Sequence, residues 1–175
     1  MQTLPATTSV TTNHHRVTAG AYSIPEVRRL VATLVASKPG GRIAELGTSY
    51  GDGAKAIAAA LPPGATFVTA EIDPERAAQA RDALSGTRAE VLEGDWRELL
   101  PNRGPFDVVF ADGGVAYDQV ADLLAPGGIL IKDDLTPGRP VEGDPTREAL
   151  LLDSRLEAVE VLVTGEMACI VAVRK

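Results

Sequence analysis

Cysteine is almost absent: Cys169 is the only one among 175 residues. No intrachain disulfide can form, and a reducing cytosol is the compartment this suits. Cys169 falls in an alternating apolar run, which reads as a small core residue and not as a reactive thiol. An excess of basic charge is also missing. The formal net charge is -7, which leaves no basic stripe to neutralise a phosphate backbone, so nucleic acid is excluded as the expected partner. No run approaches the roughly twenty apolar residues of a membrane span. Residues 1–20 lack the cationic start and apolar stretch of a secretory signal. The 17 glycines and 12 prolines fall at turns and form no tract, and there is no internal repeat. These absences leave a cytoplasmic protein with a loose, flexible arm over residues 1–21 and one domain over 22–175, with no room for a second. Its partner is expected to be a small-molecule acceptor, with neither nucleic acid nor membrane involved.

At 45% hydrophobic residues the chain has enough apolar surface for a core between two helix layers. From Pro25 onward short apolar runs alternate with amphipathic stretches, the pattern of βα units around a parallel sheet. A helix is predicted over Pro25–Ala36, with Ser23 or Ile24 near its cap, Pro25 in its first turn and Val27, Leu30, Val31 and Leu34 on its apolar face. Parallel strands are predicted over Arg42–Leu46, 66–72, 89–92, Phe106–Ala111 and 128–132. Between them the Ala- and Leu-rich stretches 52–61, 74–84, 96–100 and 117–124 read as helices. A further helix near 144–152 precedes two alternating runs, 157–163 and 167–174, joined by Thr164-Gly165-Glu166 as an antiparallel hairpin. The expected fold class is α/β: a Rossmann-like, mostly parallel sheet of seven strands, doubly wound, with helices on both faces and that hairpin at one edge.

The first strand runs into Glu45-Leu46-Gly47-Thr48-Ser49-Tyr50-Gly51-Asp52-Gly53, at the junction where open α/β sheets bind ligands. Glycines at 47 and 51 let a ligand approach the backbone, and Asp52 favours the start of the following helix. Dinucleotide binders place Gly-x-Gly-x-x-Gly here, whereas this loop reads Gly-x-x-x-Gly-x-Gly, which disfavours an NAD-linked dehydrogenase. Glu45 would sit badly beside phosphates but suits the cationic end of a methionyl group. Glu71, at the end of the second strand, can accept hydrogen bonds from both hydroxyls of a ribose. Asp73, next to Pro74, reads as a helix cap.

Five stretches in order, RIAELGTSYGDG, FVTAEIDPERAAQAR, VLEGDWRELLP, FDVVFADGG and LLAPGGILIKDDLTPG, resemble the class I S-adenosylmethionine methyltransferases. Within these the chain is most similar to the small cation-dependent O-methyltransferases of the catechol type, over about residues 22–175. The resemblance implies that Glu45, Gly47, Thr48, Ser49, Gly51 and Gly53 line the methionyl and ribose region. It implies further that Glu71 holds the ribose beside Ile72, that Gly94, Asp95 and Trp96 border the adenine, and that Asp112 also meets the cofactor. Trp96 has a second reading, as a helix residue packed over the sheet edge.

Three more acids stand where strands four and five end: Asp112, Asp133 and Asp134. Clustered carboxylates repel unless a cation or proton joins them. In the catechol-type enzymes the corresponding Asp and Asp-Asn pair bind magnesium, which acidifies the acceptor hydroxyl, and oxygen ligands suit that hard ion. The resemblance therefore implies Mg2+ at Asp112, Asp133 and Asp134, with Asp134 in place of the family's Asn. The other reading is that Asp112 touches only the cofactor while Asp133 and Asp134 cap a loop. The family's catalytic lysine falls on Val115. Asp112 and Lys132 are the candidate catalytic residues, with His14 and His15 as alternative bases; a metal-bound hydroxyl without a base is a further option. Tyr22, Tyr50 and Tyr117 are candidate pocket walls, and the loop 136–145 is the only lid. Close relatives often pair, so a homodimer is a further expectation.

Three other functions remain open. Gly51-Asp52-Gly53 is similar to the Gly-Asp-Gly of aminopropyl-transferring polyamine synthases, which carry an additional N-terminal β domain. A metal-free N- or C-methyltransferase would use the acids for structure. The missing lysine admits a non-catalytic nucleoside-binding or dimerisation module.

Overall fold

The computed structural model describes residues 23–112 and 117–175. Proline at its first position and valines at one-turn spacing start helix α1, Pro25–Ala36, which buries Val27, Val31 and Val35. Strand β1, Arg42–Leu46, leads through the glycine loop into α2, Asp52–Ala60. Then follow β2, Thr66–Glu71, and α3, Pro74–Ala83, whose start is capped by Asp73 accepting from the Glu75 and Arg76 amides. Strand β3, Ala89–Glu93, and the single turn α4, Trp96–Leu99, complete the first half.

The second half holds β4, Phe106–Ala111, a 3-10 turn at Tyr117–Gln119 and the short α5, Val120–Leu123. The stretch 117–124, expected as one helix, is a 3-10 turn followed by one helical turn, and it ends at Leu123 because Leu124 already belongs to β5 and pairs with Phe106. Strand β5 is longer than expected, Leu124–Leu135. It takes in Ala125-Pro126-Gly127-Gly128 before the apolar run and Asp133 and Asp134 after it, so these two acids stand in a strand and not in a loop. Helix α6, Pro145–Leu151, and the antiparallel pair β6, Leu156–Leu162, and β7, Ala168–Arg174, finish the chain.

All seven strands form one sheet in the order β3-β2-β1-β4-β5-β7-β6. The pairs among β1 to β5 are parallel, and β7 runs antiparallel to both β5 and β6. One apolar cluster lies on the face covered by α1 and α2, around Ile43, Ile57, Phe110 and Ile131. The other lies under α4, α5 and α6, around Leu46, Leu100, Leu130 and Ile170. Strands β1, β2 and β4 are buried along almost their whole length, as helices on both faces require. The chain winds outward one way from β1 to β3, then returns to the other side of β1 as β4. That reversal opens a crevice at the carboxyl ends of β1 and β4. Among the described residues no helix is long and apolar enough to cross a membrane.

Candidate functional site

The loop after β1 turns sharply because three of its residues, Gly47, Ser49 and Gly51, hold left-handed backbone at φ 85°, 49° and 85°. The tightest of these points is Gly47, where an added Cβ would stand 2.7 Å from the Asp112 carbonyl oxygen. The loop is tied to β2 by the Gly47 amide donating to the Ala70 carbonyl and by the Ser49 amide donating to Glu71 Oε2 at 2.8 Å. Glu71 Oε1 accepts from the Asp73 amide at 3.0 Å. Glu71, buried, is thus oriented by two backbone amides and keeps lone pairs for a ligand. Ile72, beside it, is exposed.

Beneath the loop lies a buried polar chain. Thr48 and Thr69 hydroxyls meet at 2.6 Å, and the Thr69 hydroxyl donates to Glu45 Oε2 at 2.6 Å, so Thr48 is the donor to Thr69. Glu45 Oε1 is buried without a hydrogen-bond partner. Burial pushes the Glu45 carboxyl well above its ordinary range, against the pull of the Thr69 bond, with Asp112, Asp133 and Glu71 adding to the rise. A Cβ on Gly53 would meet Glu45 Oε1 at 2.6 Å and Phe110 Cε1 at 3.0 Å, so the start of α2 can approach β1 only as glycine.

On the far side of β2, the Gly94 amide donates to the Glu71 carbonyl. Asp95 caps α4 through the Arg97 amide and forms an ion pair with the Arg97 side chain. Trp96 is buried in the cluster with Val68, Ala70 and Leu100. Tyr50 is exposed, with the Arg76 guanidinium 6.0 Å from its ring centroid.

The carboxylates of Asp112, Asp133 and Asp134 converge: each offers an oxygen within 4.8 Å of the others. Asp112 sits at the end of β4, its amide donating to Leu46. The pairing of β5 with β7 shifts register between Lys132 and Leu135. Asp134, inside that irregularity, is left-handed at φ 60°, a conformation that Asp and Asn tolerate best after glycine. Asp133 is fully buried, its Oδ1 has no hydrogen-bond partner, and its pKa is pushed up to about 8 by burial first and by the Asp112 and Asp134 charges next.

Ser23, one of the two residues expected near the cap of α1, turns its hydroxyl to the acids, 3.4 Å from Asp112 Oδ2 and 3.3 Å from Asp133 Oδ2. Ile24 occupies the cap position and makes no side-chain capping bond. Ser23 is the site residue that sequence reasoning missed; a hydroxyl before Ile-Pro signals a cap, and nothing local reveals carboxylates 89 and 110 positions away.

Lys132 points to the opposite face of β5 from Asp133. Its buried ammonium donates to the Asp133 carbonyl and lies 5.7 Å from the centroid of the buried Tyr117 ring. Burial lowers its pKa, against the nearby Asp charges. Cys169 is buried, with its thiol pushed up to about 12 by burial, as an inert core residue should be. His14, His15, Tyr22 and Val115 lie outside the described residues, as does the arm 1–21.

A family model described as a methyltransferase domain matches residues 44–135. The chain is 28% identical over 115 residues to a protein-L-isoaspartate O-methyltransferase of Methanopyrus kandleri, a match covering 62% of this chain and 51% of that protein. It is 29% identical over 117 residues to catechol O-methyltransferase B of Danio rerio, covering 57% and 44%. The chain thus spans about half the length of these curated relatives. In fold it resembles an O-methyltransferase from Bacillus cereus solved in complex with SAH: the TM-score is 0.71 at 22% identity, over 89% of this chain and 83% of that one.

Proposed function

Because the chain belongs to the family of methyltransferase domains, we propose that it transfers the methyl group of S-adenosylmethionine to a hydroxyl of a small molecule held beside Asp112, Asp133 and Asp134. One observation carries this reading: the carboxylate cluster converges next to the glycine loop, at the crevice where the sheet reverses direction. The relatives named above as O-methyltransferases, and the structure holding SAH, support it.

The chain's own residues divide the work. Glu71, oriented by the Ser49 and Asp73 amides, accepts from the ribose hydroxyls. Gly47 and Gly51 let the methionyl part lie against the backbone, and the exposed Ile72 offers an apolar surface to the adenine. Gly94 and Asp95 border the same side. Trp96, being buried, serves there through packing.

The donor set fits a hard divalent cation: three carboxylates converge, and the buried Asp133 Oδ1 lacks a partner. Asp112, Asp133 and Asp134 would hold it. Such an ion, when bound, would supply charge that acidifies a hydroxyl and offsets the repulsion of the three carboxylates. Lys132, its proton affinity lowered by burial, is the candidate base among the described residues.

A metal-independent reading also has an observation behind it. Ser23 bridges Asp112 and Asp133, and an Asp133 pKa near 8 lets a shared proton do the neutralising. Isothermal titration with S-adenosylmethionine and S-adenosylhomocysteine, each with magnesium and with chelator and with NAD as control, tests both. Binding of the adenosyl ligands is expected. Preference for NAD, or no binding, overturns the assignment, while binding and turnover unaffected by chelator select the metal-independent form.

A further inference from the structure

Helix α1 lies over β4 and β5, and its Arg28, Arg29 and Ala32 line a cleft shared with Lys55, Ala56 and Ala59 of α2. Leu30 and Leu34, on the other flank of the Val27-Val31-Val35 ridge, therefore face away from α2, toward the β7 and β6 side of the sheet. Both are only half-buried. On that same face the register aligns Val173 with Ile129, and Val159 with Val171 and Ile131. Val161 stands beside the buried Cys169. Beyond Cys169 the face loses its cover: Val159 is 58% exposed, Val161 40% and Val173 39%.

Among the described residues α1 packs on β4 and β5, short of this strip. The result is an apolar trough with the Leu30 and Leu34 flank of α1 as one wall and edge strand β6 as the other. Glu157, well exposed and, among the described residues, paired at 3.6 Å with Lys175, stands at its rim.

We propose that residues 1–22 of this chain dock in this trough between α1 and β6. The chain enters α1 at Ser23, which is anchored at the carboxyl ends of β4 and β5. From there the trough lies only two strands away, about 10 Å at ordinary strand spacing, whereas 22 extended residues reach on the order of 70 Å. The composition of the segment is complementary to the trough. It carries Leu4, Val10 and Val17 for the apolar floor and a β-branched stretch, Thr7-Thr8-Ser9-Val10-Thr11-Thr12, suited to lie on a pleated surface. It has no acidic residue in a chain of net charge -7, and its Arg16 with His14 and His15 answers the Glu157 rim.

Arg16 is the only trypsin-sensitive position in residues 1–22, which makes the proposal simple to test. In the full chain, cleavage after Arg16 should run at least about tenfold slower than in the free peptide 1–24, because proteolysis follows the open population. The double variant Val159→Thr/Val161→Thr, which keeps the β-branched shape, should restore the peptide's rate while the fold remains intact by circular dichroism. A peptide-like rate in the native chain, or protection unchanged in the double variant, overturns the proposal. A nitroxide at Lys175→Cys, beside the Glu157 rim and outside the apolar floor, in a Cys169→Ala background, supplies the second readout. Resonances of residues 1–22 should lose intensity in singly labelled protein but not when isotope and nitroxide are on different molecules. No loss, or equal loss in the mixed sample, which would mean a second copy fills the trough, also overturns it.

Discussion

Glu45 and Glu71 are both buried carboxylates at the ends of neighbouring strands, yet their surroundings set them to different tasks. Glu71 is held by two backbone amides, which fix the direction in which its remaining lone pairs point. Replacing it by alanine removes a charged acceptor and unties the Ser49 loop, so Glu71→Ala should weaken S-adenosylmethionine binding by about 1.5 to 3 kcal/mol in titration calorimetry. Unchanged affinity would remove the ribose assignment. Glu45 has one oxygen satisfied by Thr69 and one with no partner, and burial with three neighbouring acids holds its carboxyl well above the ordinary range. Its position constrains Gly53, where a Cβ would stand 2.6 Å from Glu45 Oε1 and press on Phe110. Gly53→Ala should therefore destabilise the fold by about 1 to 3 kcal/mol in urea denaturation despite the usual helix preference for alanine. A neutral or stabilising result would mean that α2 slides away from β1 at little cost.

Among the elements, α6 packs Leu150 into the core and is tied to edge strand β6 by an arginine. Arg147 is 1% exposed, pairs with Asp144 at 2.6 Å and Glu160 of β6 at 2.7 Å, and donates to the Thr136 carbonyl at 2.8 Å. It joins the start of α6, edge strand β6 and the segment that leaves β5 just after Asp134. Arg147→Met keeps the apolar stem but strands two carboxylates. Since each retains about a fifth of its surface in water, the loss should be about 2 to 3 kcal/mol, below the range for fully buried pairs. Chemical denaturation measures it, and a loss under 1 kcal/mol would show the network to be solvated. None of this is legible locally. Asp144-Pro145 announces a helix start, but Arg147 reads as one more surface cation until β6 folds back beside it.

For the whole molecule the acid cluster makes stability depend on pH and on cations. In the unfolded chain Asp133 ionises near its ordinary 3.8, whereas in the folded protein it holds its proton to about 8. Between those values the folded state binds more protons, so stability falls as pH rises through about 4 to 8. Glu45, also raised by burial, acts with the same sign. Asp144 and Asp153, lowered by their arginine partners, contribute stability that is complete above about pH 4 and lost only below it. Cation-free protein should thus be less stable at pH 8 than at pH 5 in denaturant titrations, and Asp133→Asn should flatten that slope. A flat profile in the parent protein would show that the cluster is solvated. If the cluster takes magnesium as proposed, a hundredfold excess over its dissociation constant should add about 2.7 kcal/mol at pH 8. No shift in melting temperature would favour the metal-independent form.

The strand and helix succession was legible in the sequence, because period and punctuation are local: β1, β4 and α1 have the bounds that apolar runs, Pro25 and the glycine turns predict. The glycine spacing around Glu45 and the acids at the carboxyl ends of β2, β4 and β5 were equally visible, since each follows a recognisable apolar run. Tertiary structure alone decided which of them meet. Parallel β4 and β5 bring Asp112 beside Asp133 and Asp134, and the packing of α1 across β5 sets Ser23 between two of them. On the other face, packing under α4 and α5 buries Trp96 and Tyr117, the first a position for which the sequence allowed either an adenine border or a packing role. The placement of α1 also leaves bare the strip between α1 and β6. Burial and convergence depend on contacts far apart in the chain, and no local pattern encodes them.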